Sequence, residues 1–106
     1  WGDFLSAVRT PLPATVRANL ARPLYPHLER YLRAHPSLAG STWCDTAFAC
    51  SDTAFQTDEA LRAWLREANR AGLITFQEQV SLIPALWLQA EPHHTVLDMC
   101  AAPGSK

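Results

Sequence analysis

The sequence predicts an α+β fold that is mostly helical, with a few short strands and the first strand of a buried parallel sheet near its end. The first observation is an apolar stripe at helical spacing, made of Leu61, Trp64, Leu65 and Ala68. The second is the run 95–99, whose continuous apolar centre is typical of a strand covered on both faces. The third is a weak alternation over 15–20, which favours a short strand.

The front of the chain predicts two helices joined by extended backbone. Residues 3–9 place apolar side chains on one helical face, and Pro11 and Pro13 then force extended conformations. Pro26 suits the first turn of a second helix, where a missing amide proton costs little. That helix is predicted to end at His35, ahead of a proline.

The centre of the chain gives weaker signals. Residues 37–56 are predicted to be irregular, with a short strand near 43–49, because turn-forming and small polar residues dominate. Thr57 is predicted to cap the helix that carries the stripe, and Gly72 to end it. Residues 75–78 read Thr-Phe-Gln-Glu, a capping-box pattern that predicts the start of another helix.

This last helix is predicted to end near Ala90 and to present an apolar face made of Val80, Ile83, Trp87 and Leu88. Pro84 lies inside it and removes one backbone hydrogen bond, so a kink is expected at a cost of ~3 kcal/mol.

Composition and charge narrow the functional classes. Of 106 residues, 48% are apolar, so a packed core is expected and wholesale disorder is excluded. The four tryptophans are expected to anchor that core or a domain interface. The net charge of −1 favours no partner, although five arginines in residues 1–36 make the front end basic. Three cysteines without a CxxC pair predict a reducing, intracellular compartment, and no stretch approaches the ~20 apolar residues of a membrane span.

The stretch most informative about chemistry is 96–106, where the predicted strand runs into a series of very small residues. Small side chains let a cofactor approach the backbone closely, and Gly104 can adopt conformations barred to other residues. The dinucleotide fingerprint is absent because it needs three spaced glycines. The phosphate loop is also absent, because it needs a glycine five positions before a Gly-Lys pair. Here Met99 stands five positions before Gly104, and Ser105 follows Gly104. From the residues alone, a ligand site and an ordinary turn both remain open.

The string DMCAAPGSK at 98–106 resembles the first cofactor motif of the Nol/Nop/Sun family of RNA cytosine-5 methyltransferases. Residues 72–84 are similar to the helix that precedes this motif, and Pro-His-His at 92–94 is similar to the eukaryotic tRNA branch. Near the front, Pro-Leu-Pro followed by Arg17 resembles the entry segment of the family. Residues 37–71 carry little of the resemblance.

The resemblance implies a Rossmann-like methyltransferase sheet and transfer of a methyl group from S-adenosylmethionine to carbon 5 of cytosine in RNA. In that family a cysteine thiolate adds to carbon 6, and a second cysteine helps release the product. Both follow the first cofactor motif at a distance, so the chain is expected to be an inactive fragment with no catalytic residue. Cys44 and Cys50 match no catalytic motif and are expected to be buried structural thiols.

By the same resemblance, Asp98 braces the cofactor loop through backbone hydrogen bonds, and Lys106 reaches towards the target base. The residues expected to wrap the methionine end of the cofactor are Cys100, Ala101, Ala102, Pro103, Gly104, Ser105 and Lys106.

RNA, and tRNA in particular, is the expected partner. The candidate RNA-binding residues are Arg17, Arg22, Arg30, Arg33 and Lys106, against the alternative of an ordinary solvated surface. Trp43 and Phe48 could stack on bases, but packing in the core is favoured. No metal site is predicted, because His93 and His94, adjacent on extended backbone, would point to opposite faces.

The predicted organisation has an N-terminal, RNA-contacting region (1–56) and a helical lead-in to the methyltransferase domain (57–106). No membrane contact is expected, and the edge of the predicted strand could lead to self-association. A nuclear or nucleolar location is expected, with an organelle as the alternative. Two other functions stay open: a non-catalytic RNA-binding or regulatory module, and a nucleotide-binding fragment unrelated to methyl transfer.

Overall fold

The computed structural model describes residues 1–102 and 104. They form an α+β fold, which confirms the predicted class. The elements in chain order are α1 (Gly2–Arg9), β1 (Ala14–Ala18), α2 (Tyr25–Ala34), β2 (Leu38–Gly40), β3 (Ala47–Cys50), α3 (Asp52–Thr57), α4 (Glu59–Arg70), β4 (Ile74–Phe76) and α5 (Gln79–Leu88).

The four strands form one antiparallel sheet in the order β2-β3-β1-β4. The connections β1-α2-β2 and β3-α3-α4-β4 each skip one strand position, which is the split βαβ arrangement of ferredoxin-like folds. In the register, Arg17 of β1 lies opposite Ala47 of β3 and Thr75 of β4. The sheet therefore joins strands from both of the ranges 1–56 and 57–106.

The core lies between one face of the sheet and helices α2 and α4. Strand side chains point alternately to the two faces, so one set meets the helices and the other does not. The largest buried side chains of this core are Val16, Leu32, Phe48, Leu61, Leu65 and Ile74. We call the opposite side, which carries Thr15, Arg17, Ala47, Ala49 and Thr75, the open sheet face.

Helix α4 forms as its sequence predicts, with one correction at its start. Leu61, Leu65 and Ala68 of the apolar stripe are buried. The N-cap is Asp58, whose carboxylate accepts a hydrogen bond from the Leu61 N–H at 2.9 Å, and the predicted cap Thr57 instead ends α3. A charged carboxylate stabilises the helix start more directly than a hydroxyl. Gly72, at φ +69, ends the helix region as expected.

The prediction that residues 37–56 are irregular was wrong in most of its length. They contain β2, β3 and the short helix α3, which Ser51 caps by accepting a hydrogen bond from the Ala54 N–H. The suggested strand near 43–49 overlaps β3 but starts too early. The local sequence underestimates β3 because pairing with β1 and β2 on both sides provides its hydrogen bonds.

The capping box at 75–78 does not open a helix. Thr75 lies in β4, where pairing with β1 takes precedence, and α5 starts one turn later with Glu78 as its N-cap. The helix continues through Pro84 and ends at Leu88. The predicted apolar face is wrong as a buried face, because Val80, Ile83, Trp87 and Leu88 are exposed and α5 buries Ser81 and Leu82 instead.

The predicted strand at 95–99 is absent from the described residues. Residues 95–98 are irregular, and Leu97 is 82% exposed rather than buried in a sheet. A strand needs a hydrogen-bonded neighbour, and no strand in 1–102 lies beside this run. The expectation that the tryptophans anchor the core holds for Trp64, which packs on Tyr31 at 4.2 Å between ring centroids. Trp1, Trp43 and Trp87 are exposed.

Candidate functional site

The first candidate site is the loop that follows residue 97. The Asp98 carboxylate accepts a hydrogen bond from the Cys100 backbone N–H at 2.8 Å, as predicted for a residue that braces the loop. This side-chain turn reverses the chain locally. Gly104 has φ +101, in the region that favours glycine, and nothing lies within 4 Å of where a Cβ would stand. Of the residues predicted to hold the cofactor, Pro103, Ser105 and Lys106 lie outside the described residues.

Before this loop, residues 91–94 form a tight turn that contradicts the predicted extended backbone. The His94 N–H donates to the Glu91 carbonyl at 2.9 Å, and the Glu91 N–H donates to His94 Nδ1 at 3.1 Å. The His93 and His94 rings consequently meet at 4.3 Å between centroids instead of pointing apart. With the Glu91 carboxylate they offer ligand atoms within 4.8 Å of one another, all of them exposed.

Two of the four candidate arginines stabilise the fold. Arg22 donates from Nε to the Gly72 carbonyl at 3.3 Å. Arg33 pairs with Glu29 at 2.8 Å and lies over the Phe48 ring, 5.6 Å from its centroid. The hydrogen bond to Glu29 raises the pKa of Arg33 above its ordinary value, so this guanidinium is fixed and charged.

The other two arginines lie on opposite sides of the molecule. Arg17 stands between Val16 and Ala18, which face the helices, so its side chain projects on the open sheet face. Arg30 is exposed on α2, on the helical side. The four arginines therefore do not form a single patch. Within residues 1–102 and 104, no side-chain hydrogen bond or ion pair engages Arg17 or Arg30.

A polar pocket of about 280 Å³ opens beside Arg17 on the open sheet face. It is lined by Arg17, Ala18, Asn19, Leu20, Thr46 and Thr75. Asn19 lies two residues beyond Arg17, so strand alternation could have placed both on one face from sequence. Thr46 and Thr75 could not have been found this way, because only the pairing of β3 and β4 with β1 brings them to Arg17.

The two cysteines outside the loop are buried, as predicted. Cys50 is 1% exposed, and burial together with the nearby Asp58 carboxylate raises the pKa of its thiol above the ordinary value of 9.0. Cys44 packs with Ala47 and Leu82, and its Sγ lies 3.4 Å from the Thr46 hydroxyl. A raised pKa, as at Cys50, makes a thiol a poor nucleophile.

The two aromatic candidates for base stacking differ in their exposure. Phe48 is buried in the core, which confirms the favoured reading. Trp43 is about half exposed, so the expectation of core packing was wrong for it. It lies in the turn between β2 and β3, where its backbone N–H donates to the Ser41 hydroxyl oxygen at 3.4 Å.

Comparison with known proteins finds RNA methyltransferases that are similar to the chain. It is 38% identical to a multisite-specific tRNA:(cytosine-C(5))-methyltransferase of Schizosaccharomyces pombe, over 98% of this chain and 18% of that protein. It is 66% identical to the corresponding Saccharomyces cerevisiae enzyme over 36% of this chain. It is 33% identical to the ribosomal RNA small subunit methyltransferase F of Vibrio parahaemolyticus, over 98% of this chain and 22% of that protein.

The chain is therefore similar to RNA methyltransferases, two of which are named for carbon 5 of cytosine, the class that the motif at 98–106 indicated. It spans about a fifth of the length of the relatives that match nearly all of it. No family model and no solved structure matches it. In the described part of the chain, no helix has the length and apolar character needed to cross a membrane.

Proposed function

We propose that this chain is part of an S-adenosylmethionine-dependent RNA cytosine-5 methyltransferase, with tRNA as the substrate. The observation that carries the proposal is the 38% identity to a tRNA:(cytosine-C(5))-methyltransferase over 98% of the chain. The relatives are named as RNA methyltransferases, which favours RNA as the methyl acceptor. Methyl transfer also requires a methyl donor. The motif at 98–106 supports S-adenosylmethionine in that role.

In this proposal the cofactor's methionine end lies against the loop 100–106, and Asp98 fixes the direction in which the loop starts. The hydrogen bond from Cys100 to Asp98 and the positive φ of Gly104 support this role. Exposed small side chains at Ala101 and Ala102 leave the backbone accessible to a ligand. Lys106 is proposed to approach the target base.

The chain alone is proposed to be inactive, because methyl transfer in this family needs a cysteine thiolate that adds to carbon 6 of cytosine. Cys44 and Cys50 are too buried to reach a base, and Cys100 belongs to the proposed cofactor loop. The catalytic cysteines are therefore assigned to other parts of the complete protein. A nuclear or nucleolar location is proposed with the activity.

RNA contact is proposed for the N-terminal region, residues 1–56, through arginines that have no side-chain partner among the described residues. Arg17 and Arg30 are the strongest of the four candidates, since Arg22 and Arg33 already bind protein groups. Residues 57–106 are proposed to lead into the methyltransferase domain. The exposed apolar side chains of Trp87, Leu97 and Met99 support self-association of the isolated chain.

The test is a methyl-transfer assay with labelled S-adenosylmethionine on bulk tRNA, comparing the isolated chain with the complete protein. We expect label in cytosine carbon 5 with the complete protein alone. A Gly104→Val variant of the complete protein should lose most of this activity, because a β-branched residue cannot adopt φ +101 without strain. RNA binding without methyl transfer by the complete protein would replace the enzyme with a non-catalytic RNA-binding module.

A further inference from the structure

We infer that the polar pocket beside Arg17 binds a backbone phosphate of RNA. The inference rests on the proposed function for the identity of the ligand, because RNA is the substrate proposed there. The chemistry of the site comes from the open sheet face, where the pocket favours a small anion and holds it next to β1.

The charge of the pocket comes from Arg17, which has no counter-ion among the described residues. Arg17 is half-buried, and the six residues that line the pocket include no carboxylate. No ion pair engages Arg17 within the part of the chain that the structure describes. A cation that has lost part of its water and has no protein partner attracts an anion strongly.

The remaining donors suit a tetrahedral anion. Thr75 lies opposite Arg17 in the β1–β4 register, so its hydroxyl projects on the same face beside the guanidinium. The Thr46 hydroxyl contacts the Cys44 thiol at 3.4 Å, a weak partner that an anionic oxygen would displace. Arginine and hydroxyl donors together are the usual protein contacts of phosphate oxygens.

Asn19 gives the pocket a rigid wall. Its side chain donates to the Gly72 carbonyl at 3.1 Å and accepts from the Ala21 N–H at 3.1 Å. Arg22 donates to the same Gly72 carbonyl, so the backbone group that holds Asn19 is itself held by a second side chain.

The open sheet face favours phosphate over base recognition. RNA-binding sheets read bases by stacking them on aromatic side chains. Here the equivalent positions on β1 and β3 carry Thr15, Ala47 and Ala49, and Leu82 of α5 covers part of the face by packing on Ala47. The pocket is also smaller than the roughly 300–1,000 Å³ of sites that enclose drug-sized ligands. Its volume of about 280 Å³ accommodates a single phosphate group.

The test measures the affinity of the complete protein for fluorescently labelled tRNA across a series of salt concentrations. Arg17→Gln should weaken binding about tenfold, and to the same extent for tRNAs of different sequence. It should also reduce the slope of log affinity against log salt by about 0.7 to 0.9. Thr75→Val should weaken binding about threefold. Arg66→Gln, an exposed arginine of α4 on the helical side, is the matched control and should change neither quantity.

Thermal unfolding of each variant checks that the fold is retained, which we expect because Arg17 has no partner to lose within residues 1–102 and 104. Equal affinities and slopes for Arg17→Gln and Arg66→Gln would overturn the phosphate site, even if methyl transfer to tRNA proceeds and the proposed function stands. The proposal would also be overturned if inorganic phosphate bound at Arg17 while Arg17→Gln left the affinity for tRNA unchanged. If the wild-type protein binds tRNA through Arg17 but transfers no methyl group, the proposed function fails and the phosphate site remains.

Discussion

The carboxylate of Asp98 accepts a hydrogen bond at 2.8 Å from the backbone N–H of Cys100, two residues further along the chain. This contact closes a turn at the point where irregular backbone enters the proposed cofactor loop. Because both residues are exposed, the hydrogen bond competes with water and contributes modestly to folding. Its importance lies in setting the path of the chain towards Gly104.

Replacing Asp98 with alanine should therefore weaken cofactor binding more than it weakens the fold. In the complete protein we expect the dissociation constant for S-adenosylmethionine to rise about fivefold, the equivalent of one net hydrogen bond. Titration calorimetry measures this change directly, and the melting temperature should stay close to that of the wild type.

The matched control is Asp98→Asn, which keeps a side-chain oxygen that can accept from the Cys100 N–H. It should retain more cofactor affinity than the alanine variant. Equal losses in the two variants would mean that the negative charge, and not the turn, matters at this position.

The buried thiol of Cys50 predicts a loss of stability at alkaline pH. Burial, and secondarily the Asp58 carboxylate, raises the thiol pKa in the folded chain above 9.0. The folded state therefore keeps a proton that the unfolded state releases. This contribution to the unfolding free energy is complete below pH 9 and is lost as the pH rises through the raised pKa.

Urea unfolding at pH 7 and pH 10 measures this effect. The unfolding free energy of the wild type should fall more between the two pH values than that of Cys50→Ala, which has no thiol to titrate. Tyr25, whose pKa is also raised by burial, contributes equally to both proteins and cancels in the comparison. Identical declines would contradict the assignment to Cys50.

The N-cap of α4 gives a prediction about stability alone. Asp58→Ala removes the acceptor for the Leu61 N–H and should lower the unfolding free energy by about 1 kcal/mol. Thr57→Ala is the control that separates the two candidate caps, because the Thr57 hydroxyl donates to the Thr53 carbonyl within α3. Chemical denaturation of both variants checks this, and a larger loss for Thr57→Ala would restore the cap predicted from sequence.

The sequence best predicted those elements whose pattern lies within one continuous segment of the chain. The stripe of α4 has the period of its helix, and Gly72 ends it, so both could be read directly. The short strands β2 and β3 could not, because three or four residues show too little alternation and their stability comes from partners distant in the chain. The capping box at 75–78 failed for the same reason, since β4 is defined by its pairing with β1.

The candidate site shows the same difference between local features, which the sequence predicts, and features that depend on residues distant in the chain. The turn at Asp98 is local, and the family resemblance at 98–106 led us to expect its hydrogen bond to the loop backbone. The neighbours of Arg17 are not local, because Thr46 and Thr75 reach it only through the sheet. The turn at 91–94 was missed because two hydrogen bonds between its ends, one between backbone groups and one from the Glu91 N–H to the His94 ring, outweigh the extended preference around Pro92.

Leu82 should control the position of α5 and, with it, the path to the proposed cofactor loop. It is 1% exposed and packs on Ala47 and Cys44 across the open sheet face, whereas most of the apolar side chains of this helix are exposed. Leu82→Ala leaves a cavity at this contact and should lower the unfolding free energy by roughly 2–5 kcal/mol. Leu88→Ala, at a 56% exposed position of the same helix, should cost less than about 0.5 kcal/mol.

Amide hydrogen exchange distinguishes local release of α5 from global destabilisation. In Leu82→Ala we expect exchange to accelerate most within Gln79–Leu88, while the amides of β1 and β3 retain protection relative to global unfolding. The helix would then be a separately stabilised element that depends on one buried leucine. Uniform acceleration across the sheet and α5 would instead show that the helix and the sheet unfold as one cooperative unit.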